Sequence, residues 1–338
     1  DLKKQGMKGL VLDLRNNGGG SVQEALQILN MFIPKGRHLL SMKGKVKNAN
    51  SSYNTTVEPL DTVMPIVVLV NEATASASEI TSGTLQDYDR AVIMGTRTYG
   101  KGLVQMPIDL PYNGKLKLTT AKYYIPSGRC IQALRYKHTD NGYVAENVPD
   151  SLTHEFRTAA GRIVRDGGGI KPDIEVKPDS LPNIAFYLSR VDTTDIMLNY
   201  EIDYIAAHPT VASPKDFELS DADYEQFKQR VVKSGFTYDQ VSEKILKELE
   251  SLARFEGYYD DAKPEFEALR QKLKHNIAKD LDYPYNKQKI KELIAADLMA
   301  AYYFEKGSLE NSLRNDKQFA EAVRLLGNPT EYQKLLQP

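Results

Sequence analysis

The chain has 338 residues, 41% hydrophobic and 26% charged, with 22 glycines and 16 prolines. That composition belongs to a globular protein and excludes collagen-like and globally disordered chains. Lys and Arg number 44 against 45 Asp and Glu, a net charge of -1, so no overall basic field marks the chain for nucleic acid or an anionic membrane.

The single Cys130 excludes an intramolecular disulfide framework and a cysteine-rich zinc site, and leaves the redox compartment open. No apolar run reaches the length of about 18 residues that marks a transmembrane helix. No signal peptide opens the chain, and its start at Asp1 reads as a processed or truncated product.

In chain order, Lys8 to Leu14 reads as a buried strand that runs into the turn cluster Arg15 to Gly20. Ser21 then caps a helix with Val22, Ala25, Leu26, Leu29 and Phe32 on one face. A second strand, Pro65 to Val70, leads into helical spacing over Ala75 to Tyr88. Strands follow at Ala91 to Met94, Leu103 to Ile108 and Lys115 to Tyr124. The proline-rich stretch from Lys177 to Ser220, with a helix around Ile196 to Ala207, reads as a boundary. Beyond it the period is helical: Val241, Ile245, Leu249, Leu252 and Phe255 form one expected core stripe, and Phe266, Leu269, Leu273 and Ile277 a second. A third takes Ile290, Leu293, Ile294, Leu298 and Ala301; Ser220 is the expected helix start and Gly257, Gly307 and Gly327 the expected stops.

Three segments can carry chemistry. The Gly18-Gly19-Gly20 turn sits between a strand and a helix, where backbone N–H groups can hold phosphate or a developing oxyanion, although neither phosphate-loop pattern is matched. Taken alone it is more often an ordinary tight turn. In Asn71 to Glu79 a serine stands where a strand turns into a helix, the logic of a nucleophile elbow without the G-x-S-x-G motif. Alone, a serine at a helix start is far more often a cap than a nucleophile. The five histidines, His38, His138, His154, His208 and His275, are scattered with no evident orienting carboxylate. The other available base is a lysine with a desolvated ammonium, and Lys101 between Gly100 and Gly102 fits, with burial expected.

Together, Leu12 to Gly20, Thr74 to Glu79 and Thr98 to Gln105, in that order, resemble the C-terminal processing (tail-specific) serine peptidases, which use a Ser–Lys dyad. The likeness continues through Tyr123 to Arg129 and Gly169 to Ile174. It implies Ser76 as nucleophile, Lys101 as base, Gln105 orienting the lysine, and Asp87 at an acidic position of supporting role. It also implies an oxyanion hole made by the N–H groups of Gly19 and Ala77; the family often has proline where Gly18 stands, which has no N–H, so the donor falls on Gly19.

The implied architecture is α/β, a ClpP/crotonase-like core of stacked strand–turn–helix units over residues 1–180, a linker at 181–219 and an all-α domain at 220–338. The implied partners are protein or peptide substrates with free C-termini, with no cofactor, no metal and no nucleic acid. A homo-oligomer is compatible with it. The implied setting is the periplasm or bacterial cell envelope. The family's PDZ domain and opening strands are expected before residue 1, so this chain alone is expected to be weakly active. Two alternatives stand beside this reading. One is a non-catalytic scaffold working through its helical half. The other, acyl-CoA chemistry, has no adenine or pyrophosphate site in the sequence to support it.

Overall fold

The computed structural model describes residues 1–139, 142–274 and 276–338, and the chain forms two compact units, Asp1–Pro178 with Asp316–Pro338, and Asp179–Asn315. In the first unit the elements run β1 (Leu10–Asp13), α1 (Val22–Asn30), β2 (His38–Gly44), β3 (Ser51–Asn54), β4 (Ile66–Val70) and α2 (Ala77–Asp87). They continue through β5 (Val92–Gly95), β6 (Leu103–Asp109), β7 (Lys115–Tyr124), β8 (Leu134–Thr139), β9 (Gly142–Asn147), β10 (Glu155–Arg157), β11 (Ile163–Arg165) and β12 (Ile174–Glu175). The second unit holds α3 (Asn183–Phe186), α4 (Ile196–Ala207), α5 (Asp221–Lys233), α6 (Val241–Glu256), α7 (Lys263–Leu273), α8 (Ile277–Asp282) and α9 (Pro284–Ser312). The chain then returns to the first unit with α10 (Lys317–Leu326) and α11 (Pro329–Leu335).

Ile66–Val70 is apolar at every position because both faces of its strand are covered. It is an inner strand of a parallel sheet ordered β1-β4-β5-β12. Ile66, Val68 and Val70 join a core with Leu26 and Leu29 of α1 and Ile80 and Leu85 of α2. Val67 and Leu69 face the other way, onto Ala322, Leu325 and Tyr332 of α10 and α11. A second, antiparallel sheet is ordered β3-β2-β7-β6, and β8-β9 and β10-β11 are separate hairpins. Helix α2 is short of large apolar side chains yet wholly buried, so its hydroxyls turn inward to backbone carbonyls, as Thr81 does to Ala77 O and Ser82 to Ser78 O.

This corrects the expected boundaries. Residues 316–338 group with the first compact unit rather than the second: a parallel sheet needs both faces covered, and α10 and α11 supply the second cover. Residues 181–219 are not a linker either, since Ile184, Leu188, Met197, Tyr200 and Leu219 pack into the helical core with Phe227, Ile290, Ile294 and Leu298. The Val241 to Phe255 stripe is exposed; α6 buries Leu246, Glu250 and Ala253 instead, on the side next to α7. Gly307 is buried inside α9 rather than ending it, whereas Gly257 does close α6 at φ 84°.

The closing helix is pinned to the central strand by one side chain. The buried Tyr332 hydroxyl donates to Ile66 O and accepts from Ile66 N–H, both at 2.9 Å. Tyr332→Phe strands both groups in the core, and an expected loss of about 1–3 kcal/mol follows. Denaturant titration of the two proteins checks it.

Candidate active site

The link from β4 to α2 is built around Thr74, which is fully buried. Its hydroxyl donates to Leu14 O at 2.7 Å and accepts from Asn71 N–H at 2.9 Å, tying the ends of β1 and β4 together. Two residues later Ser76 occupies φ 57°, ψ −118°, a conformation unfavourable for a side chain with a Cβ. Strain of this kind is kept where the surroundings over-determine it, and it projects the half-buried Ser76 from the start of α2.

The glycine turn after β1 closes on this elbow. Ala75 N–H donates to Asn17 O at 3.0 Å, and Asn16 and Asn71 exchange hydrogen bonds at 2.9 Å. Gly19, at φ 89°, approaches so closely that a Cβ there would lie 2.6 Å from Ala75 O, 2.8 Å from Ala77 N and 2.9 Å from the Ser76 Cβ. The Ala77 N–H, in the first turn of α2, has no intrahelical acceptor. The Gly19 N–H is held by Asn17 Oδ1 at 2.9 Å. Gly18 and Gly20 would meet nothing within 4 Å, which singles out the middle glycine. Gly19→Ala is accordingly expected to lower turnover on the order of a hundredfold by pushing the turn from the elbow, while Gly18→Ala leaves it within about twofold. Initial rates on one substrate compare the two.

The residue that the sequence reading misses is Glu79. It is fully buried, and its Oε2 accepts from Ser76 N–H at 2.9 Å and Lys101 N–H at 2.8 Å. Its Oε1 accepts from the Thr98 hydroxyl at 2.6 Å and Gly100 N–H at 2.7 Å. The backbone nitrogens of Ser76 and Lys101 therefore share one oxygen atom, although 25 positions separate the two residues in the chain. The Ser76-x-x-Glu79 spacing of a capping box is the available signal for half of this arrangement. Burial pushes the Glu79 carboxyl above its ordinary value, and the four hydrogen bonds oppose the rise.

The other expected residues fare differently. Lys101 is exposed, not buried as the base reading expects: it sits at the mouth of the Gly100-Lys101-Gly102 turn, where only its backbone is held. Gln105 is exposed on β6 opposite Thr119, and among the described residues it makes no hydrogen bond to Lys101. Asp87 is buried at the far end of α2, paired with Arg129 at 2.8 Å and accepting from Ser127 N–H at 2.9 Å, so it anchors the turn after β7. No described histidine is bonded to Ser76: His38 contacts Ser41 and Asn54, the exposed His154 contacts Asp166, and His208 the carbonyl of Tyr204. His275 and the side chain of His138 lie outside the described residues. Among the described residues no group of three or more His, Cys, Asp or Glu could hold a metal ion, and no helix is long and apolar enough to cross a membrane.

Residues 1–139 match the family described as Peptidase family S41, and residues 186–326 match the family described as Probable PDZ-protease, C-terminal helical domain. The chain is 46% identical over 128 residues to a carboxy-terminal-processing protease of Bartonella bacilliformis, covering 38% of this chain and 29% of that protein. It is 41% identical over 195 residues to the chloroplastic C-terminal processing peptidase of Tetradesmus obliquus, covering 58% and 34%. It thus matches about a third of the length of these relatives. Among solved structures it is similar to the photosystem II D1 C-terminal processing protease, with 32% identity, a TM-score of 0.40, and coverage of 54% of this chain and 38% of that one.

Proposed function

We propose that this chain, whose residues 1–139 match peptidase family S41 and whose residues 186–326 match a PDZ-protease C-terminal helical domain, is the catalytic part of a serine endopeptidase that cleaves proteins near their C-termini. Ser76 Oγ attacks the peptide carbonyl and Lys101 takes its proton. The N–H groups of Gly19 and Ala77 receive the oxyanion, the amine leaves with the proton, and water releases the acyl group from Ser76. The observation that carries this reading is the Gly19 contact, because a glycine pressed against Ser76 and Ala77 puts the expected hole residue beside the nucleophile, with its N–H on Asn17 Oδ1 until an oxyanion takes that place. The shared Glu79 oxygen supports Lys101 as the partner, since it sets the lysine backbone within reach of the serine for a four-carbon side chain. Catalytic hydrogen bonds are often completed only when substrate binds, and an exposed ammonium at the turn fits that order of events.

The proposed substrates are proteins or peptides with free C-termini, and the proposed setting is the periplasm or cell envelope. Gln105 is proposed to orient Lys101 in the closed state, and Asp87 to support α2 from its far end. The scaffold reading is favoured by one observation, the exposed apolar stripe on α6. A fluorophosphonate probe separates the two readings. Covalent labelling mapped by mass spectrometry to Ser76, with cleavage of an unfolded protein, is the expected result; absence of both overturns the enzyme reading.

A further inference from the structure

The loop that carries Gly19 is held from two sides, and only one of them is the serine elbow. On the other side stands Arg15, whose side chain is mostly buried. Its Nη2 lies 2.6 Å from Asp13 Oδ2 and 2.6 Å from Asp316 Oδ2, and its Nη1 donates to Gln318 Oε1 at 2.8 Å. Its Nε donates to Asp13 Oδ1 at 3.0 Å. Asp316 is the residue at which the chain returns to the first unit after Asn315, and it caps α10, its Oδ1 accepting from Phe319 N–H at 3.0 Å. Gln318 is almost fully buried and donates onward to Val176 O. The guanidinium fork is thus filled by three side chains, one from β1 and two from the start of α10, and the next residues along the chain are Asn16, Asn17 and the glycine turn.

We infer that Arg15 is a positioning residue for the oxyanion-hole loop, and that the first turn of α10, through Asp316 and Gln318, sets the place from which that loop reaches Ser76. The inference rests on the proposed role of Gly19. The physical case is one of geometry. Asn16 sits at φ 57° and Gly19 at φ 89°, so the short loop has two residues in left-handed backbone. Its first two residues beyond Arg15 are tied to the elbow by Ala75 N–H on Asn17 O and by the Asn16 to Asn71 pair. Its near end is fixed by the ion pair. A planar cation bonded on several edges cannot rotate without breaking at least one bond, whereas a lysine in its place would be a single point charge. With the near end released, the turn keeps its contacts to the elbow but loses the anchor that defines their angle. A displacement of about 1 Å at a catalytic group is enough to cost on the order of a hundredfold in rate.

Asp316→Asn tests this selectively. The two oxygens of Asp316 have separate duties, so an asparagine keeps the cap on α10 with its oxygen and turns its amide toward Arg15, donor against donor. The expected result is a kcat lower by about tenfold with KM unchanged, and faster hydrogen exchange confined to peptides covering residues 14–20. Arg15→Lys is expected to change both readouts in the same direction. Unchanged exchange over 14–20 in both variants overturns the inference, as does exchange that rises evenly across the chain with kcat following it. If the wild-type protein neither turns over nor labels, the peptidase reading has failed; the exchange measurement still shows whether the clamp holds the loop.

Discussion

Ser76→Ala, Lys101→Arg and the double variant are expected to fall to the same residual rate, about 10⁴-fold or more below the parent protein. Residues that act as one unit give non-additive losses, because removing either member leaves the other without a task. Arginine is the informative replacement at position 101. It keeps the positive charge and reaches at least as far as lysine but cannot give up its proton, so it cannot serve as a base. Its backbone bond to Glu79 is indifferent to the side chain, so the turn at Gly100 to Gly102 is expected to stay in place. Fluorophosphonate labelling and single-turnover cleavage, measured on all three variants at one pH, check the floor. Losses that add in the double variant separate Lys101 from Ser76 and return the lysine to the surface, where its exposure already puts its ammonium.

Much of the first unit is legible because its strands are extreme cases. Ile66–Val70 has no polar residue and can only be a strand covered on both faces, and the expected and observed bounds of Lys115–Tyr124 coincide. The second cover is not legible: Ala322 and Leu325 carry the same helical period as any amphipathic helix, and periodicity does not say which surface it meets. The same limit explains the α6 stripe. Five apolar residues at helical spacing read as core, yet the small Ala253 and the Glu250 that pairs with Arg270 face inward. Helix α4 is the opposite case, since an apolar run set between prolines marks its own ends, and the helix does span Ile196–Ala207. At the site, strand–turn–helix context marks the two segments, the family resemblance picks Ser76 and Gly19 within them, and the structure brings the two residues together. The exposure of Lys101 is not, because glycines beside a lysine allow close packing without requiring it.

Glu79 carries the second large effect, and two substitutions divide it. Glu79→Ala removes the acceptor for the N–H groups of Ser76, Gly100 and Lys101 and for the Thr98 hydroxyl at once. Each donor left unpaired in the interior costs about 1–3 kcal/mol, so their combined loss is comparable with the roughly 5–15 kcal/mol that holds a domain folded. The alanine protein is expected to be unfolded or insoluble. Glu79→Gln is milder: its oxygen can stay with Ser76 and Lys101 while its amide donates to Thr98 Oγ1, leaving only Gly100 N–H opposed by another donor. The pH dependence has a definite sign. Burial raises the Glu79 carboxyl above its ordinary value, so the fold binds that proton more tightly than the unfolded chain does. Its contribution to stability is full below the ordinary carboxyl value and is lost as pH rises through the raised one. Activity runs the other way, since a proton on either oxygen displaces a donor that positions Ser76 or Lys101. Turnover is therefore expected to fall on the acid side at a pH above the usual carboxylate range, while the denaturation midpoint does not fall with it. In Glu79→Gln that acid limb should vanish, at a reduced plateau. A limb that persists in the glutamine protein belongs to another group, and would leave Glu79 as a strut that the chemistry does not sense.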